Sequence, residues 1–178
     1  YRVVPLHPLA GVLEWVKNSL PIGDYLGPAH ERLRPTDISI REARTMMRTE
    51  FEKPSSTALS KQQTFQTLCS RLAPIFRFFF FEHAQSAAEW HAKRSRYITS
   101  CSVASMVGYI VGLGDRHCQN MMIDQGTGEL IHIDLNMIFE YGKALRIPER
   151  VPFRLTRDLV DAMGFLGVEA PFSHHAEA

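Results

Sequence analysis

Cysteine is scarce in this chain of 178 residues. Its three cysteines, Cys69, Cys101 and Cys118, are widely spaced and form no CxxC pair. That pattern argues against a disulfide framework or a structural zinc site and points to a reducing compartment. Long apolar runs are also missing. The richest, Val103 to Leu113, falls far short of the ~20 residues a membrane span needs. Neither charge dominates: Lys plus Arg is 20 against 19 for Asp plus Glu, a net charge of +1. Direct nucleic-acid binding and attachment to a membrane surface are therefore not expected. No secretory signal, internal repeat or low-complexity block is present, and position 1 is Tyr rather than Met, which suggests an intracellular piece of a longer protein. What is there, 45% apolar and 22% charged residues, suits one folded domain.

Periodicity predicts a mostly helical α+β chain. Leu9 to Trp15 is too brief to assign. Ser39 to Phe51 reads as a helix, with Ser39 as cap and Glu42 three residues later as in a capping box. After the breaker-rich stretch 53–57, Phe65, Leu68, Cys69, Leu72, Ile75 and Phe76 recur at helical spacing, and Pro74 marks a kink or a second start. The phenylalanines from 76 to 81 read as core. Ser86 to Val111 gives another long helical pattern. Met121 to Ile123 and Leu130 to Ile133 flank a turn-rich segment and read as a β-hairpin. Leu155 to Met163 reads as a helix, and 173–178 as a frayed tail.

The chemistry concentrates around this hairpin. Leu113-Gly-Asp-Arg-His-Cys-Gln-Asn120 precedes it and Asp134 follows it. Asp115 with its neighbours Gly114 and Arg116 reads, alone, as a turn with a surface ion pair. In register with Asn120 and Asp134 it takes on the order that protein kinases use: an Asp at the acceptor hydroxyl, an Asn for Mg²⁺ five residues later, and a second Mg²⁺-binding Asp after a hairpin. The hairpin explains the spacing, because it returns the chain so that the Asn before its first strand lies beside the Asp after its second. Two hard oxygen ligands then converge, with the remaining positions left to phosphate oxygens and water. Asp115 would accept the hydroxyl proton, and His117 would share it or stabilise phosphate oxygens. Arg116 would brace the loop. Gly112 and Gly114 form no phosphate loop, since no Lys-Ser/Thr follows. His132 reads as a buried, hydrogen-bonded histidine, and Lys143, Arg146, Arg150 and Arg154 as a solvated loop face.

The order Asp-Arg-His, with Gly-Leu-Gly before it, Asn120 after it and His132-Ile-Asp134 beyond, resembles the phosphatidylinositol-3-kinase-related protein kinases. Val151-Pro-Phe-Arg-Leu-Thr-Arg157 is similar to the same family. Tyr1 to Leu6, Gly11 to Trp15, Pro21-Ile-Gly23, Arg34-Pro35, Met163-Gly164 and Gly167-Val-Glu169 resemble its ATM/Tel-type branch. Asn136 departs from that branch, which usually has Gly there, and is similar to the ATR-type branch, which has Asn. Its tolerance of positive φ lets the metal-binding turn survive.

The resemblance implies the C-terminal lobe of a kinase domain, with the N-terminal lobe missing. Residues 1–20 would be the end of an N-lobe strand and the hinge. Residues 21–172 would be the lobe itself, with a catalytic loop at 112–120 and an activation loop at 134–153. It implies ATP with Mg²⁺ or Mn²⁺ as cofactors, and protein substrates phosphorylated at Ser or Thr followed by Gln. Asp115 and His117 would be catalytic, and Asn120 and Asp134 metal ligands. Leu13, Glu14, Trp15 and Val16 would receive adenine, with Met122 and Ile133 as apolar contacts beneath the nucleotide. It further implies a nuclear role in DNA-damage signalling and telomere maintenance, with DNA-break sensor complexes as partners. The parent's N-lobe, FATC and helical-repeat regions would be further partners, and without a lobe-borne lysine for ATP this piece alone is expected to be inactive. Two rivals stand beside this reading: a phosphatidylinositol lipid kinase, and a truncated, non-catalytic scaffold. Glu140 and Glu149 interrupt the basic residues that a lipid kinase would gather in its activation loop.

Overall fold

The structure, a computed structural model, describes residues 1–144, 150–169 and 171–178. Its first elements are a hairpin of β1 (Val3–His7) and β2 (Ala10–Leu13), antiparallel with Val3 opposite Leu13. Every residue of both strands is exposed. After an irregular stretch, β3 (Ser19–Pro21) leads straight into α1 (Ile22–Leu33).

Capping sets the next two helices. For α2 (Ile40–Glu52), Ser39 Oγ accepts from Glu42 N at 3.1 Å and Glu42 Oε2 accepts from Ser39 N at 2.9 Å, which is the reciprocal box predicted above. For α3 (Ala58–Arg71), Thr57 and Ser60 make the same exchange at 3.1 and 3.0 Å. After Pro74 the chain does make a second start, as α4 (Arg77–Glu82). Ser86 caps α5 (Ala87–Val111), whose exit is set by Gly112 at φ +63°.

Two strands follow, β4 (Met121–Asp124) and β5 (Leu130–His132), paired antiparallel with Ile123 opposite Leu130. β3 adds to the free edge of β4, with Leu20 opposite Ile123. A 3-10 turn at Phe139–Ala144, α6 (Arg157–Met163) and α7 (Pro171–Glu177) complete the described chain.

The core lies where α1, α4, α5 and α6 meet the three-stranded sheet. Phe76, Phe79, Phe80 and Tyr97 are fully buried there, and Tyr25 packs edge-on against Phe79. Tyr97 donates from its hydroxyl to Leu159 O at 2.9 Å, tying α5 to α6. The phenylalanine run is only partly core, because helical phase turns Phe81 outward, where it stacks on Trp90. Lys93 is buried in α5 and donates to His83 O, to Gln125 O at 3.0 Å and to Glu89 Oε1 at 2.9 Å. It thereby fastens the β4–β5 turn to the helical core.

The frayed tail expected at 173–178 is instead helical through Glu177. Phe172 is 5% exposed, Ser102 donates to Phe172 O at 2.9 Å, and Thr99 Oγ1 lies 3.1 Å from His175 Nε2. Seven residues carry too little helical signal of their own, and packing on α5 supplies the stability.

Glu50 holds α2 to the loop before α3. It is buried, and hydrogen bonds from Lys53, Ser60 and Ser56 bring its carboxyl from 4.5 down to about 2. A depressed folded value contributes stability that is present above the unfolded pKa and lost as pH falls through the folded one. Glu50→Gln should therefore remove part of the acid sensitivity between about pH 4.5 and 2. Urea midpoints measured against pH check this: the wild-type midpoint should drop over that window more than the variant's, whereas parallel curves contradict it.

Candidate active site

Gly112 starts the loop that carries the residues expected to be catalytic. A Cβ at this position would come 2.7 Å from Phe139 O, and φ is positive, so both space and conformation require glycine. Leu113 N donates back to Gly108 O at 2.7 Å, closing the helix end. Gly114 N then donates to Met137 O at 2.7 Å, joining the loop to the segment beyond Asp134.

Arg116 is the centre of the arrangement. Its side chain sits in a residue only 6% exposed, and its guanidinium donates to carbonyl oxygens on both sides of the hairpin. Nε reaches Gly114 O at 2.8 Å, and Nη1 reaches Asn120 O at 3.3 Å and Ile133 O at 2.7 Å. Nη2 donates to Asp134 O. Ile133 N also donates to Asn120 O at 3.1 Å. The backbones of Asn120 and Asp134 are thus clamped to one planar group, which fits the bracing role expected of Arg116.

Asn120 is buried at 6% exposure and donates from Nδ2 to Asp115 O at 2.9 Å, while its N–H donates to His117 O at 3.0 Å. This fixes the carboxamide and leaves Oδ1, a hard oxygen, without a protein partner among the described residues. Asp115 is half-buried, and His117 and Asp134 are exposed. His117 Nδ1 accepts from Gln119 N at 3.2 Å, which puts the proton of a neutral ring on Nε2.

Asp115 and His117 line one recess of about 180 Å³ with Leu113, Arg116, Val151, Phe153 and Arg154. Both Asp115 and Asp134 adopt positive φ, +58° and +55°. Such residues cost of order 1–3 kcal/mol each and cluster where function requires them. The residue in left-handed conformation in the post-hairpin turn is Asp134; Asn136, expected to take that role, is not among the described residues with positive φ.

The residues expected to receive adenine are less closely gathered. Leu13 ends β2, and Trp15 is 82% exposed on the irregular stretch. Glu14 N donates to Arg2 O at 2.8 Å and Glu14 Oε2 accepts from Arg2 N at 2.9 Å, so this N–H is engaged within the hairpin. Val16 and Met122 do come together: Ser19 Oγ donates to Val16 O at 2.8 Å and lies 3.9 Å from Met122 Sδ. Met122 is buried on β4, and Ile133 is half-buried one residue beyond β5.

His132 departs from its expected hydrogen-bonded state. It is half-buried, no hydrogen bond to its ring is found among the described residues, and burial, followed by the Arg116 charge, pulls its pKa down to about 4. A neutral imidazole beside the guanidinium avoids adding a second cation there. Of the predicted basic loop face, Lys143, Arg150 and Arg154 are described, and Arg146 lies outside the described residues, as does Glu149.

Sequence reasoning missed the buttress behind residues 118–119. Gly23 N donates to Cys118 O at 3.0 Å and Gln119 Nε2 donates to Asp24 Oδ1 at 3.0 Å, so the start of α1 supports residues 118–119. A Cβ on Gly23 would sit 3.2 Å from Cys118 Cβ, and that close approach is why glycine stands there. Pro21-Ile-Gly23 was the available signal, and it entered through the family resemblance.

The fold and this loop-hairpin arrangement define a kinase-type lobe. The chain belongs to the phosphatidylinositol 3- and 4-kinase family, which it matches over residues 1–178. Among its relatives, the serine/threonine-protein kinase ATM of Arabidopsis thaliana is 45% identical over 99% of this chain. The serine/threonine-protein kinase tel1 of Schizosaccharomyces pombe is 43% identical over 97% of it. The solved FAT and kinase domain of CtTel1 superposes with a TM-score of 0.91, at 40% identity over 99% of the chain and 12% of that structure. The chain spans 4% of the Arabidopsis relative and 6% of the fission-yeast one.

Arg116→Lys should disable the clamp, because an ammonium cannot serve four carbonyls spread over a planar fork. Leaving buried carbonyls unpaired predicts a loss of about 2–3 kcal/mol in unfolding free energy, read by urea denaturation. A change below about 0.5 kcal/mol would show that the guanidinium is not holding the hairpin.

Proposed function

We propose that this chain is the larger lobe of an ATM/Tel-type serine/threonine protein kinase, which transfers the γ-phosphoryl group of ATP to Ser or Thr followed by Gln. The observation that carries the reading is the Arg116 clamp, which joins the main chains of Asn120 and Asp134, while Asn120 Nδ2 in turn holds Asp115 O. The relatives named as serine/threonine-protein kinases favour a hydroxyl on protein over one on phosphatidylinositol.

Asp115, held in the recess with His117, orients the acceptor hydroxyl and takes its proton as the new O–P bond forms and the bond to ADP breaks. Phosphoryl transfer depends chiefly on positioning and charge, so the proton moves late. His117 offers Nε2–H to the phosphate oxygens. Asn120 Oδ1 and the Asp134 carboxylate are the residues that would hold Mg²⁺ or Mn²⁺, and their hard-oxygen character fits such an ion. The ion, when bound, neutralises charge on the β- and γ-phosphates. Val16, Met122 and Ile133 would border the adenine, with Leu13, Glu14 and Trp15 completing that side from the hairpin. The same resemblance supports a nuclear role in DNA-damage and telomere signalling alongside DNA-break sensor complexes.

Asp115→Asn in the full-length parent should lower kcat for a Ser-Gln peptide by about 10²–10⁴-fold with little change in peptide KM. Phosphate transfer to phosphatidylinositol, measured in parallel, should be absent. Transfer to lipid without transfer to peptide would replace this reading with the lipid-kinase one, and full activity of the variant would refute the assignment of Asp115.

A further inference from the structure

A groove of about 810 Å³ runs between α1 and α2 and reaches the catalytic loop, with Glu31, Arg41, Arg44, Arg48, Cys118 and Gln119 in its lining. Arg41, Arg44 and Arg48 are spaced three and four residues apart, so they share one face of α2 over roughly 10 Å of helix. The buried positions of α2, Ala43 and Glu50, lie on its far side. All three arginines are exposed, and none forms an ion pair among the described residues.

Like charges at this spacing repel and weaken an isolated helix. Two carboxylates also line the groove. Glu31 stands on α1, and Asp158 is already committed, its Oδ1 accepting from Ile75 N at 2.9 Å. Three guanidinium groups therefore face a cleft with little internal compensation.

The position of the cleft gives this charge a use. Cys118 and Gln119 immediately follow His117, and both are tied to α1 through Gly23 and Asp24. The groove thus sets the arginines of α2 across from residues 118–119 of the loop that would present Asp115 to an acceptor hydroxyl. An extended polypeptide lying across that loop advances about 3.3 Å per residue, so its flanking side chains can reach along α2. Guanidinium groups suit carboxylates through paired, charge-assisted hydrogen bonds.

We propose that this groove binds acidic side chains of the acceptor polypeptide that flank the phosphorylated Ser or Thr. The inference rests on the protein-kinase reading and adds a specificity element to it. The test uses the full-length parent and a neutral Ser-Gln peptide into which a Glu pair is moved stepwise outward on either side. At one offset kcat/KM should rise roughly tenfold over the neutral peptide, and the gain should shrink as salt is raised. The combined change Arg41→Gln, Arg44→Gln and Arg48→Gln should erase the gain while leaving the neutral peptide's kcat/KM unchanged. Arg41→Glu, Arg44→Glu and Arg48→Glu together should shift the preference to a Lys pair at the same offset.

Three results overturn the proposal. The Glu pair has no effect at any offset, or the variants change neutral and acidic peptides alike, which would assign the groove to another segment of the parent chain. The third is that the wild-type parent fails to phosphorylate even the neutral peptide, which refutes the kinase reading as well and is thereby distinguished from the other two.

Discussion

A single buried guanidinium organises the loop-hairpin end of this lobe. Arg116 reaches carbonyls before and after the β4–β5 hairpin, so the segment ending at Asn120 and the one beginning at Ile133 become one surface. Backbone carbonyls withdrawn from water need donors, and a guanidinium supplies several in one rigid plane. Lysine carries the same charge but not the fork. The neutral state of His132 belongs to the same constraint, since a second positive charge beside the clamp would weaken it.

The clamp also explains how strain is tolerated. Asp115 and Asp134 both hold left-handed backbone conformations that favour glycine, yet each carries a side chain. Hydrogen bonds at the neighbouring positions restrain them: Asn120 Nδ2 to Asp115 O, and Arg116 to Asp134 O. Gly112 provides the close approach to Phe139 that lets the loop leave α5 at the required angle. Behind the loop, Gly23 and Asp24 brace residues 118–119, so the reactive segment is supported on both sides. The basic face of α2 borders this braced segment across one groove.

Much of this was legible in the sequence, and for local reasons. Ser39 with Glu42 announces α2, and Gly112 and Ser86 frame α5. The turn-rich stretch between Met121 and Ile133 announces the hairpin, and the spacing of Asp115, Asn120 and Asp134 announces a possible site. What stayed hidden depends on tertiary contacts. The Thr57–Ser60 box lacks the Glu or Gln that usually reveals one. Three-residue β3 exists because β4 offers an open edge, and α7 because α5 offers a place for Phe172. The left-handed turn falls on Asp134 rather than Asn136, which the pattern of residue types does not disclose. The groove that the arginines of α2 share with α1 and residues 118–119 exists only in the folded chain.

The most direct measurement is the position of a divalent ion in the full-length parent with a bound, non-hydrolysable ATP analogue, located by the anomalous scattering of Mn²⁺. One ion should touch both Asn120 Oδ1 and the Asp134 carboxylate, at about 2.0–2.3 Å, with Arg116 still joined to the backbones of both. An ion held by phosphates alone, or by a different pair of side chains, would contradict the account.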